Sequence, residues 1–114
     1  MNGQQAQAIE KMADGDNVMK IGFKRLSENA VLPTKANPTD SGLDLYAAAD
    51  VIIAPGETRV IATDLAVELP QGYEACVRPR SGVTSKTKLR VQYGTVDNSY
   101  RGVIGVICDN ISTF

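Results

Sequence analysis

The sequence predicts an all-β domain, a β-sandwich or jelly-roll-like β-barrel, on three observations. Short apolar runs, seven or so, recur about every ten residues and are separated by Gly and Pro turns, the spacing of a sandwich or barrel. Aromatic residues make up only 5% of the chain and Trp is absent, so the core must be built from Val, Ile, Leu and Ala, of which the β-branched members pack well on pleated surfaces. Outside the first eighteen residues no stretch keeps a helical apolar period.

Taken in order, residues 1–18 are polar, with Ala6, Ile9 and Met12 at a loose helical spacing, and read as a flexible extension or a frayed short helix. Met12 and Met19 are alternative starts. The β domain is expected over residues 19–114. Ile21 and Phe23 open a strand that ends in the loop Pro33 to Pro38, whose prolines block pairing. Leu43 to Ala47 alternates briefly, and Val51-Ile52-Ile53 leads into a Pro55-Gly56 turn. Arg59 to Leu69 reads as one strand with Ile61, Leu65, Val67 and Leu69 on one face, closed by Pro70-Gln71-Gly72. Tyr73 to Val77 and Leu89 to Tyr93 are further strands. Val103 to Cys108 is apolar on both faces, the pattern of a strand covered twice, inside a sandwich or at a subunit contact. Followed only by Asn110 to Phe114, it has no evident partner strand, so more chain or another subunit is expected to cover it.

Length and composition restrict the chemistry. The 114 residues suffice for one domain, and so small a core is often supplemented by association. Twelve basic against thirteen acidic residues give a net charge of −1, so no global basic field recruits nucleic acid and any anion must be captured locally. With no His, a Ser-His-Asp triad is excluded, and with only Cys76 and Cys108 besides, an all-protein zinc site is not expected. Any catalytic base is a carboxylate. The two cysteines form no disulfide framework and read as small core residues; a reducing, cytoplasmic setting without a membrane span is expected.

Three segments carry candidate chemistry. In Ser41-Gly42-Leu43-Asp44-Leu45, inward leucines would turn Asp44 to the opposite face, although read alone Asp44 is better explained as a turn aspartate capping a backbone N–H. In Pro79-Arg80-Ser81-Gly82, Arg80 offers a planar fork of charged donors, Ser81 a hydroxyl, and Gly82 close approach to the backbone; this suits polyphosphate, and equally describes a solvated basic turn. In Gly94-Thr95-Val96-Asp97-Asn98-Ser99-Tyr100-Arg101-Gly102, glycines bracket a compact hairpin with Asp97 and Tyr100 three residues apart near its tip. A carboxylate beside an aromatic platform can activate water next to a bound base or sugar, while Asp-Asn-Ser is also an ordinary turn.

In this order and spacing, the three segments resemble motifs one, two and three of the homotrimeric dUTPases over roughly residues 19–114, and Pro70-Gln71-Gly72-Tyr73 is similar to that family's turn into motif two. The resemblance implies the dUTPase-like β-clip fold and Mg²⁺-dependent hydrolysis of dUTP to dUMP and pyrophosphate. Asp97 would be the base for the water attacking the α-phosphorus. Tyr100 would pack on deoxyribose and reject a 2′-hydroxyl, the backbone around Gly94 and Val96 would read uracil, and Arg80, Ser81 and Gly82 would hold phosphates. Asp44 would act on Mg²⁺ through water, the ion arriving with the triphosphate. The resemblance also implies a homotrimer with active sites shared between subunits.

The chain departs from the pattern at Val91, where many relatives carry an Asn contacting uracil. The family's fourth segment, a Gly-Asp-Arg-like turn, and its fifth, a glycine-rich tail with Arg and Phe, would lie beyond Phe114. The 114 residues alone are therefore expected not to form the family's closed site. Two other readings compete. A dCTP deaminase shares the fold and similar motifs, but uses a Glu in the hairpin region, where none stands here. A truncated module that binds a nucleotide or a protein without turnover is the other.

Overall fold

The computed structural model describes residues 12–14 and 17–114. Nine strands and one short helix follow in the order β1 (Met12–Asp14), β2 (Asn17–Met19), β3 (Gly22–Arg25), β4 (Thr58–Ala62), β5 (Leu65–Glu68), β6 (Ala75–Val77), α1 (Ser81–Lys86), β7 (Leu89–Val91), β8 (Gly94–Val96) and β9 (Gly105–Asn110). All ladders are antiparallel: β1 with β2, β3 with β5, β6 with β8, and a three-stranded sheet in the order β4-β9-β7. The all-β expectation holds. Where a tail or frayed helix was expected, Met12–Asp14 pairs with Asn17–Met19; Ala6 and Ile9 lie outside the described residues.

The core gathers Phe23 from β3, Leu65 and Val67 from β5, Val96 from β8, and Ala30, Leu69 and Ile104 from connecting segments, with Ile21, Leu32, Leu43, Leu45, Ala75 and Val77 packed against it. Leu43 and Leu45 thus face inward as their alternation predicts, although they form no strand; the local pairing is a single bridge between Thr34 and Asp44. The Pro55-Gly56 and Pro70-Gln71-Gly72 turns form as read, with Gly56 and Gly72 at φ of 77° and 88°, a region glycine enters freely.

Four expectations are corrected. Arg59 to Leu69 is not one strand. It breaks at Thr63-Asp64 into β4 and β5, which belong to different sheets, and Asp64 adopts a φ of 55° at the corner. Consequently Leu65, Ala66 and Val67 are buried in succession rather than alternately. Val51-Ile52-Ile53 is extended but unpaired among the described residues, and Ile52 is 86% exposed. Cys76 is exposed rather than core, because Ala75 and Val77 face inward and the residue between them must face out. Cys108 is buried, and burial, with Asp109 adding to it, pushes its thiol above the ordinary value. The last strand is not left without partners, since β9 pairs with β4 on one edge and β7 on the other.

One face of β9 remains uncovered in the single chain. Val106 and Cys108 turn inward, whereas Ile107 projects outward opposite Val60, and these two are 42% and 68% exposed. Beside them the Asp109 carboxylate accepts hydrogen bonds from Thr58 Oγ1 and Gln92 Nε2, which hold its pKa below the usual carboxylate value.

The corner at Thr63 generates a stability prediction. Thr63 is 1% exposed; its hydroxyl donates to the Ile104 carbonyl at 2.8 Å and accepts from the Leu65 N–H at 3.2 Å. Thr63→Val keeps the shape but leaves the Leu65 N–H without its acceptor and takes one of two donors from the Ile104 carbonyl, and should cost about 1–3 kcal/mol in urea unfolding with an unchanged m-value.

Candidate active site

The second candidate segment leaves β6 at Val77 and enters a single helical turn instead of the basic turn expected from sequence. Pro79 and the extended Arg80 stand before α1, and the Thr87 N–H closes onto the Val83 carbonyl at its end. Arg80, Ser81, Gly82, Val83, Lys86 and Thr87 line an open cavity of about 500 Å³. No atom lies within 4 Å of where a Gly82 side chain would begin, so the backbone there is open to approach. Lys86, which motif reading passed over, brings a second cation to the cavity because Gly82 and Lys86 are one helical turn apart.

Asp44 meets this segment. Its backbone exchanges hydrogen bonds with Thr34 at 2.7 and 3.3 Å, and Tyr46 Oη lies 2.5 Å from Thr34 Oγ1, so the Pro33 to Pro38 loop braces the strand-like run that carries Asp44. The carboxylate lies 3.9 Å from Arg80 Nε, with the aspartate side chain 29% and the arginine 70% exposed. At that length and exposure the pair contributes little to the stability of the fold. The two leucines beside Asp44 pack on the core, which leaves the carboxylate on the opposite side.

The third segment is not a hairpin with mutually paired arms. Its first arm, β8, pairs with β6, and its second returns to the β4–β5 corner, where the Ile104 N–H donates to the Leu65 carbonyl and the Thr63 N–H to the Ile104 carbonyl. Val96 is buried and Asp97 exposed at the turn that follows, which is closed by the Tyr100 N–H on the Asp97 carbonyl at 3.0 Å. The Tyr100 hydroxyl donates to the Val103 carbonyl at 2.8 Å, and its ring lies over Gly102. Asn98, read from sequence as mere turn composition, donates from its side chain to the carbonyls of Pro70 and Tyr73. No sequence signal marks that partnership, because the partners lie 28 and 25 positions away.

Asp44, Arg80, Ser81 and Gly82 therefore stand together, and Gly94, Val96, Asp97 and Tyr100 form a second group. None of the second group lines the Arg80 cavity. The register explains the separation. Ala75 faces Val96 and Val77 faces Gly94, so the antiparallel chains leave the ladder in opposite directions. Asp97 comes level with Glu74 while Arg80 lies six residues further along, up to about 20 Å away at an extended rise of roughly 3.3 Å per residue.

The dUTPase family model matches residues 28–113. The chain belongs to the dUTPase family. Among curated dUTPases, the deoxyuridine 5′-triphosphate nucleotidohydrolase of Trichodesmium erythraeum is 45% identical over 94 residues, spanning 81% of this chain and 66% of that protein. The human mitochondrial deoxyuridine 5′-triphosphate nucleotidohydrolase is 42% identical over 92 residues, 81% of this chain and 36% of that protein. Among solved structures, a dUTPase from phage phi11 of S. aureus, in which a structural Mg(II) ion is coordinated, superposes with a TM-score of 0.79 at 40% identity, covering 82% of this chain and 61% of that one. The chain thus spans just under two thirds of the length of several dUTPases that it matches. The jelly-roll fold of these neighbours agrees with the all-β reading.

A methyl group added at Gly102 would sit 2.6 Å from Tyr100 Oη and 2.7 Å from Cζ. Gly102→Ala should therefore push the ring aside and break its bond to Val103, destabilising the protein by about 0.5–1.5 kcal/mol; Gly102→Ala should cost less than that in a Tyr100→Ala background, as measured by thermal unfolding.

Proposed function

We propose that the protein hydrolyses dUTP to dUMP and pyrophosphate at sites shared between the subunits of a cytoplasmic homotrimer. Membership of the dUTPase family supports the reaction, as does the activity named for relatives such as that of Trichodesmium erythraeum. A solved dUTPase of Staphylococcus bacteriophage 80alpha carries dUpNHpp, a dUTP analogue, and it matches 82% of this chain with a TM-score of 0.79 at 40% identity. Among the described residues no helix is long and apolar enough to cross a membrane.

The observation that carries the shared site is the division of the candidate residues between the two ends of the β6–β8 ladder. A triphosphate gripped by Arg80 of one chain is held beyond the end of that ladder away from Asp97 of the same chain. It can meet Asp97 of a neighbour. The uncovered Val60 and Ile107 supply an apolar face for such a contact, which a closed ring would bury.

At the shared site Arg80, Ser81 and Gly82 hold the phosphates through the guanidinium fork, a hydroxyl and open backbone. The Asp97 carboxylate accepts a proton from water as the water oxygen bonds to the α-phosphorus. The bond from that phosphorus to the bridging oxygen breaks, and pyrophosphate leaves with the electron pair. Tyr100, held by Val103, presents its ring to deoxyribose and excludes a 2′-hydroxyl. Among the described strands β8 is paired on one edge only, and the free edge of the backbone around Gly94 and Val96 reads the uracil edge.

The Asp44 carboxylate, beside Arg80 of the phosphate-binding group, would face Mg²⁺ carried by the triphosphate through water. Bound there, the ion would neutralise phosphate charge.

Asp97→Asn should abolish pyrophosphate release while leaving the affinity for dUpNHpp within a few-fold of the parent, since the amide keeps the shape but cannot take the proton. Turnover near the parent's would remove Asp97 from the mechanism. Mixing Asp97→Asn with Arg80→Ala chains should restore activity, because each mixed trimer contains sites with neither lesion. A monomeric mass by light scattering, or no recovery after verified subunit exchange, would refute sharing.

A further inference from the structure

Asn98 follows the proposed base Asp97, and its side-chain NH₂ group is spent on a distant part of the chain. Its amide nitrogen lies 2.7 Å from the Pro70 carbonyl oxygen and 2.8 Å from that of Tyr73. Both partners only accept, so the NH₂ end faces them and both its protons are committed. The Asn98 backbone carbonyl accepts from Arg101 Nη1 at 2.5 Å. On the other side of Asp97, Val96 is buried in the core.

An asparagine that merely forms a turn bonds its own backbone two residues on. Here the tip is already closed by the Tyr100 N–H on the Asp97 carbonyl, and the Asn98 side chain reaches across 25 and 28 positions instead. An aspartate of the same shape would set a carboxylate against two carbonyl oxygens, and a serine has one proton for two acceptors. The contact therefore depends on the amide.

We infer that Asn98 is a positioning residue for Asp97: clamped on the Pro70–Tyr73 turn, it fixes the backbone on one side of the exposed carboxylate as buried Val96 fixes it on the other. The inference rests on the reading of Asp97 as the base. Fixing both flanks matters because a displacement of about 1 Å from the productive geometry can cost on the order of a hundredfold in rate.

The test compares the parent with Asn98→Ala and the milder Asn98→Ser. In Asn98→Ala, kcat for dUTP should fall about tenfold or more, with KM and dUpNHpp affinity within about threefold, the split expected when orientation rather than binding is lost. Asn98→Ser should lie between. Amide hydrogen exchange needs no turnover: residues 97–100 and 70–73 should exchange faster together in both variants, while the β4–β9 ladder is unchanged. A kcat in Asn98→Ala within twofold of the parent overturns the inference, as does unaltered exchange at residues 97–100. Absence of pyrophosphate release by the parent would refute the hydrolytic reading instead, and the exchange measurement would still decide whether Asn98 holds the tip.

Discussion

The corner at Thr63-Asp64 is the constraint on which the rest of the structure depends. A chain that ran straight from Arg59 to Leu69 would serve one sheet; the turn hands it from the β4-β9-β7 sheet to the β3–β5 pair. Three parts of the sequence converge there. Ile104 is bonded through its carbonyl to Thr63 and through its N–H to Leu65, the Leu26 N–H donates to the Asp64 carbonyl, and Ser27 Oγ donates to the Asp64 carboxylate at 2.6 Å. Aspartate tolerates the left-handed backbone there better than most residues. Among the described residues Leu65 and Thr63 are the largest side chains to be wholly buried, so the corner is sealed from water.

That corner reaches the site through Ile104. The segment bearing Asp97 leaves the core at Val96 and is recaptured at Ile104, so both ends of the excursion are buried while its tip is exposed. The Tyr100 and Asn98 contacts organise what lies between. The phosphate-binding candidates are carried differently, on a helical turn beside the Asp44 run, and only the short β6–β8 ladder joins the two groups. The proposed trimer would bring complementary halves together as it covered the face bearing Val60 and Ile107.

A net charge of −1 leaves no long-range field to draw in a polyanion, so attraction must be local. Arg80 and Lys86 line one open cavity, with the Asp44 carboxylate 3.9 Å from Arg80 Nε. Both cations keep most of their exposure, which avoids the desolvation that burying them would cost before a ligand arrives.

The sequence by itself determined the fold class, the turns at Gly56 and Gly72, the inward leucines beside Asp44, and three segments whose order marks the dUTPase family. Each depends on local information: a period of two, a residue that accepts positive φ, or a short run of side chains. Only the tertiary structure decided that Arg59 to Leu69 bends between sheets, since alternation looks the same on either side of a corner. It also set Cys76 outward, covered both edges of β9, turned the Arg80 segment into a helical turn with Lys86 on its cavity, and joined Asn98 to Pro70 and Tyr73. These are outcomes of strand register and of contacts between residues far apart in the chain. A one-residue shift in pairing would reverse which side chains face the core, and nothing within a single segment specifies its partner.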